Sequence, residues 1–95
     1  MLEAPDWLSE GQRQMFDLAV AVAPAGVLLP IDQSIVAMWA TLADRIRICT
    51  EACAKSSDPE AVQLYEKVIS ETKRILADVV EQLGFDPGER RGQLH

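Results

Sequence analysis

Two long apolar repeats, separated by a joint of only a few residues, constrain the fold of this chain most strongly. The first repeat opens at Asp32, whose side chain is expected to cap the helix, and its apolar residues recur at alternating steps of four and three positions. The second follows Ser56-Ser57-Asp58-Pro59-Glu60, which has the order of a helix cap, a first-turn proline and an early acid, and it stops at Gly84. Helices of about 25 residues that are joined so tightly must pack in opposite directions. The sequence therefore predicts an antiparallel helical hairpin.

The apolar positions of the two helices predict which sides face each other. In the first helix the seam consists of Ile35, Trp39, Leu42, Ile46, Cys49 and Cys53. In the second helix it consists of Tyr65, Val68, Thr72, Ile75, Val79 and Leu83. Further apolar residues make the face of the second helix wider than one partner helix covers, which predicts a subunit interface. The predicted interface residues are Val62, Ile69, Leu76 and Val80.

A shorter helix is expected before the hairpin. Ser9-Glu10-Gly11-Gln12 has the form of a capping box, and apolar residues then recur at helical spacing until Pro24. The 95 residues fit one domain, in a size range where oligomerisation often supplements a small core. The prediction is an all-α domain over 1–95 that assembles through helix faces, with helices at about 10–23, 32–56 and 59–83 and a tail at 84–95.

The charge balance limits the partners that such a chain can bind unaided. Its formal net charge is −6 and its isoelectric point is near 4.6, so its averaged field repels phosphate. Nucleic-acid binding would need a local basic patch. No apolar run reaches the length of a membrane span, and the acidic, proline-containing start differs from a signal peptide, so a cytoplasmic protein without membrane contact is expected.

The cysteines and the histidine do not form a metal-binding pattern. Cys49 and Cys53 lie one helical turn apart, and the histidine that a metal site would need is present only as the terminal residue His95. Free, buried thiols are the expected state. Neither a metal nor a cofactor is predicted.

The chain also has no motif typical of an enzyme. It contains no glycine-rich phosphate loop, no nucleophile elbow and no His-Glu-x-x-His sequence. Asp17, Asp44 and Glu51 could in principle act as catalytic carboxylates, but their spacing does not distinguish them from charges on helix surfaces. A non-enzymatic protein is predicted.

Charges of alternating sign form ladders along both long helices. In the first helix they are Arg47, Glu51 and Lys55, and in the second they are Lys67, Glu71, Arg74 and Asp78. A solvated helix face explains such ladders, because exposed ion pairs contribute little energy. The alternative is that they select neighbours in an assembly.

Three segments carry short motifs of a known family, in the right order. They are Ala4-Pro5-Asp6-Trp7-Leu8-Ser9 at the entry to the first helix, Leu28-Leu29-Pro30-Ile31-Asp32 before a long helix that bears Trp39, and Leu83-Gly84-Phe85-Asp86-Pro87-Gly88-Glu89-Arg90-Arg91. The last resembles a Leu-Gly-apolar-(Thr or Ser)-Pro-x-x-Arg ending. With them the chain resembles, from about Pro5 to Leu94, the small subunit of phage terminases of the class common among long-tailed phages and prophages.

The resemblance implies a non-catalytic DNA-packaging subunit in the host-cell cytoplasm. It would assemble into a ring, recognise double-stranded viral DNA, and recruit or regulate the large subunit that carries ATPase and nuclease. Asp86 replaces the usual hydroxyl residue of the ending and would still cap a helix.

The sequence departs from the pattern of the family upstream of the first helix. Family members often carry a basic arm before the proline-aromatic entry, and this sequence starts almost at that entry, so the arm is either missing here or lacking in this member. DNA or large-subunit contact is then expected from Arg90 and Arg91, with Lys73 and Arg74 as a second pair.

A different class of protein also fits the sequence. A small acidic helical bundle could form a dimer that binds a protein partner and not DNA, which suits the net charge of −6. Two copies would favour that module, and a closed ring of many copies would favour the terminase subunit.

Overall fold

The computed structural model describes residues 2–23 and 28–83, and the regular structure in these ranges is entirely helical. Helix α1 spans Glu10–Val22, a single 3-10 turn spans Pro30–Asp32, α2 spans Gln33–Lys55 and α3 spans Pro59–Leu83. The two long helices pack antiparallel, and no strand occurs in the described part of the chain. The predicted fold class is therefore confirmed. The predicted tail at 84–95 lies outside the described residues.

Side-chain caps fix the starts of α1 and α3 where the sequence predicts them. The Ser9 hydroxyl accepts the Gln12 N–H at 3.2 Å, and the Gln12 side-chain oxygen accepts the Ser9 N–H at 2.9 Å. This is the predicted capping box. At α3, the carboxylate of Asp58 accepts the N–H of Glu60 at 3.1 Å, and Pro59 is the first helical residue.

The side chain of Asp32 does not cap α2, so this prediction is wrong. Its carboxylate accepts the N–H of Leu29 at 2.9 Å and makes no hydrogen bond to the first turn of α2. The reason is that the 3-10 turn leads directly into α2, so the backbone at Asp32 is already helical. Asp32 closes that turn instead of capping the helix.

Helix α2 lies at the centre of the packing, in contact with both α1 and α3. Phe16 of α1 and Val36 of α2 are fully buried in the core. The segment before α1 also joins the core, because Leu8 is buried and Gln33 Nε2 donates to the carbonyl of Glu3 at 2.8 Å. The buried core consists of Leu8, Phe16, Ala19, Val36, Ala37, Trp39, Ala40, Leu42 and Val79.

The side of α3 that faces α2 is rotated relative to the predicted seam. Thr72 and Val79 are buried as predicted, but Val68 and Ile75 are 37% and 46% exposed. Two residues beside the predicted seam, which the sequence assigned to a subunit interface, take part in this packing: Leu76 and Val80 lie against the core. Val68-Ile69 and Ile75-Leu76 are consecutive apolar pairs, so a small rotation of the helix exchanges which member faces inward.

Within the two described ranges, none of the helices is both long and apolar enough to cross a bilayer.

Candidate assembly surfaces

One exposed apolar surface runs along α3. It consists of Leu64, Val68 and Ile75, which are 66%, 37% and 46% exposed and are here called the α3 stripe. At about 100° per residue, these three positions fall within an arc of about 40°, so they form one ridge about 16 Å long. The ridge lies on the other edge of α3 from Leu76 and Val80, which pack against the core.

Charged side chains border the α3 stripe along its outer edge. They are Lys67, Glu71, Arg74 and Asp78, all of them exposed. Among the described residues, both ion pairs are made by Arg47 on α2, so this predicted ladder contains no internal ion pair. These charges are therefore free to meet charges on another molecule.

A second apolar surface lies between the segment before α1 and the first half of α2. It is a groove of about 430 Å³, here called the Trp7 groove, and its lining residues are Pro5, Trp7, Gln33, Ser34, Met38, Thr41 and Leu42. Trp7 is 69% exposed and Met38 is 50% exposed. The volume lies within the range of sites that hold a small ligand or a few side chains.

A smaller hollow continues the Trp7 groove along α2. It measures about 200 Å³ and is lined by Gln12, Thr41, Asp44, Arg45, Ile48 and Cys49. Thr41 belongs to both, so the two hollows lie end to end. Ile48 is 51% exposed and supplies an apolar side chain at the far end. The combined surface from Gln33 to Cys49 is about 24 Å long at 1.5 Å per residue.

A buried acid anchors the floor of the smaller hollow. Asp44 is buried, and its Oδ1 accepts hydrogen bonds from Arg47 Nε at 3.0 Å and Nη2 at 2.8 Å. Arg47 Nη1 donates to Glu51 at 3.2 Å, which confirms one step of the predicted charge ladder. The hydrogen bonds and charge of Asp44, then those of Glu51, raise the pKa of Arg47. The guanidinium thus stays cationic and satisfies the buried carboxylate.

The predicted interface residues Val62, Ile69, Leu76 and Val80 are all half-buried. Leu76 and Val80 gain that cover from the core of their own chain. Contact between copies at these residues stays a prediction. The exposed apolar side chains of α3 lie on the α3 stripe instead.

The basic residues predicted to contact DNA or the large subunit are only partly described. Lys73 and Arg74 are exposed on α3, but consecutive residues of a helix point about 100° apart, so they do not form one patch. Arg74 also lies one turn from Glu71 and from Asp78, whose charges oppose its own. Arg90 and Arg91 lie outside the described residues.

The two cysteines are free thiols. Cys49 and Cys53 are both half-buried along α2. In the described ranges, no group of three or more histidine, cysteine or acidic side chains could hold a metal ion.

Sequence reasoning missed the Trp7 groove. In the sequence Trp7 stands only in the motif at the entry to the first helix, and its place beside α2 depends on the path of the segment before α1. A signal was nevertheless present, since Met38 and Ile48 are large apolar residues of α2 that do not belong to its predicted seam. Apolar residues off the seam predict a second contact surface.

Comparisons of the chain with protein-family models, with curated proteins and with solved structures found no match. Its own surfaces and motifs therefore carry the functional inference.

Proposed function

We propose that the chain is a non-catalytic subunit of the terminase small-subunit type. It assembles into a ring, binds double-stranded viral DNA, and recruits or regulates a large ATPase and nuclease subunit. The observation that supports self-assembly is the presence of two separate exposed apolar surfaces, the α3 stripe and the Trp7 groove, on one small chain. Contiguous apolar surface of this kind marks interaction sites, because covering it removes apolar area from water.

The family motifs give this assembly its proposed role in DNA packaging. Trp7, from the entry motif, forms a wall of one candidate surface, and Trp39, from the long-helix motif, is buried in the core. The motif residues that the structure describes thus have an identifiable place in the fold or on a surface. The ending with Arg90 and Arg91 supplies the expected contacts to partners.

Assembly also multiplies the few contacts with DNA that a single acidic chain can make. A net charge of −6 opposes phosphate, so one copy with two tail arginines would bind DNA weakly. Copies held in a ring present many weak contacts at once, and linked contacts raise the overall affinity well above that of each one. DNA binding is therefore expected to depend on assembly.

The role of the tail arginines is tested by the double variant Arg90→Ala and Arg91→Ala. Binding of the variant to duplex DNA and to the large subunit is measured across salt concentrations, with Lys73→Ala and Arg74→Ala as the matched pair. We expect the tail variant to keep its assembly and to lose affinity, with a shallower salt dependence. Unchanged binding to both partners would reject the role of these arginines.

The alternative function, an acidic dimeric module that binds a protein and not DNA, is favoured by the net charge. The two proposals differ in stoichiometry. A mass of two copies that is unaffected by concentration, together with no DNA binding at low salt, would favour the module.

A further inference from the structure

We propose that the α3 stripe of one copy docks into the Trp7 groove and the adjoining hollow of the next copy, head to tail. This inference rests on the self-assembly proposed above and names the two surfaces that carry it. The occupant of the groove is thus a second copy of this chain, inserted by one edge of a helix.

The large exposed apolar side chains of the two surfaces are similarly spaced along their helices. On α2, the exposed side chains of Met38 and Ile48 are ten residues apart, or about 15 Å along the helix. On α3, Leu64 and Ile75 at the ends of the stripe are eleven residues apart, or about 16 Å. A helix lying along α2 can therefore place one aliphatic side chain near Met38 and another near Ile48.

The shapes of the two surfaces also correspond. The stripe is a ridge of aliphatic side chains, with the smallest, Val68, between the other two. The groove has small residues, Ser34 and Thr41, along α2, and Trp7 forms its opposite wall. A large aromatic wall beside a concave surface is typical of sites that anchor a partner.

Two of the charges bordering the α3 stripe are complementary to the wall of the Trp7 groove. The segment of residues 2–12 carries three exposed acids, Glu3, Asp6 and Glu10, and no base, so the Trp7 wall is negative. It can face Lys67 and Arg74 on the edge of the stripe.

Glu71 and Asp78 alternate with these two bases along the same edge of α3, so one wall cannot attract all four charges. Lys67 and Arg74 are the two that an acidic wall attracts.

This docking makes the interface heterologous. Each copy offers one stripe and one groove, both on packed helices of the same rigid body, so a copy cannot fill its own groove. Repeated head-to-tail contacts close into a ring if the rotation between copies closes. A symmetric pairing of two α3 stripes would instead leave both Trp7 grooves open.

A mixing experiment with two variants tests the pairing. The stripe variant carries Leu64→Ser, Val68→Ser and Ile75→Ser, and the groove variant carries Trp7→Ser and Met38→Ser. Each retains one competent surface, and each should be a monomer by native mass spectrometry at concentrations where the wild type assembles. A 1:1 mixture should give a heterodimer with one copy of each variant, because one stripe and one groove remain to pair.

Two further variants keep the test interpretable. Ile31→Ser removes an 86%-exposed side chain that belongs to neither surface, so it should assemble like the wild type. If circular dichroism shows that the groove variant has lost helix, Ser34→Glu replaces it, since it fills the groove at an exposed position near the start of α2, where an acid suits the helix dipole.

The outcomes separate this inference from the proposed function. If both variants still form the wild-type particle, or if the mixture gives no heterodimer while the wild type assembles, the stripe-to-groove pairing is wrong and the packaging role survives. If the wild type is a monomer at every concentration, both fail.

Discussion

Gly11 of α1 lies so close to Asp44 of α2 that a Cβ atom at residue 11 would stand 2.7 Å from the Asp44 Oδ1 atom. It would also stand 3.0 Å from Nη2 of Arg47, which bonds the same oxygen. The first turn of α1 thus rests directly on the ion pair between Asp44 and Arg47 of α2. This contact fixes the position where the short helix meets the hairpin.

Gly11→Ala should therefore destabilise the chain. The added methyl group must displace Asp44 or Arg47, and overpacking of this kind costs about 1–3 kcal/mol, whereas alanine gains at most about 1 kcal/mol over glycine in a helix. Urea unfolding measures the difference. In an Asp44→Ala background the methyl group has room, so the same substitution should become neutral or stabilising. If Gly11→Ala alone raised the stability of the chain, that result would contradict the close contact between residue 11 and Asp44.

Loss of Arg47 should destabilise the chain more than loss of Glu51. Arg47→Met removes the donor of both hydrogen bonds to Asp44 and leaves a buried carboxylate without its cation. Glu51→Gln removes only an exposed ion pair, which is worth little. The urea midpoint should fall clearly for the first variant and hardly for the second. Equal midpoints would show that Asp44 does not need its partner.

The hairpin was predictable because its signals are local. The caps at Ser9 and Asp58, the proline at residue 59 and the short joint fix helix starts and direction without knowledge of the packing. Helix bounds from the sequence agree with Glu10–Val22, Gln33–Lys55 and Pro59–Leu83 to within one residue at each end.

The orientation of α3 about its axis was not predictable in the same way. Val68-Ile69 and Ile75-Leu76 offer two apolar stripes that differ by one residue, and both fit a seam of alternating steps. The choice between them depends on the tertiary packing, in which Leu76 and Val80 lie against the core. The Trp7 groove escaped prediction because it depends on the path of the segment before α1.

Trp39→Phe should cost little stability. The indole Nε1 of Trp39 is buried and has no hydrogen-bond partner in the described structure, and an unsatisfied buried donor is unfavourable by about 1–3 kcal/mol. Phenylalanine removes that donor and keeps most of the ring, so the loss of packing is largely offset. Trp39→Ala should cost about 3–5 kcal/mol by leaving a cavity. Urea unfolding of the two variants should show a wide gap, and similar losses would mean that the indole N–H has a partner.

The Trp39→Phe variant also makes Trp7 the reporter of the groove. The chain has two tryptophans, so Trp7 is the remaining one in this variant, and it is 69% exposed in the single chain. As concentration rises and the groove fills, its emission should move to shorter wavelength and its quenching by acrylamide should fall. Adding Leu64→Ser, Val68→Ser and Ile75→Ser should abolish both changes. A spectrum independent of concentration, over a range where mass measurements show assembly, would place Trp7 outside the interface.

Native mass spectrometry of the wild-type chain across a dilution series tests the central claim, that copies assemble head to tail, most directly. Two different surfaces on each copy predict a single closed particle of more than two copies, which dissociates on dilution. A monomer at every concentration, or a particle that stops at two copies, would contradict it.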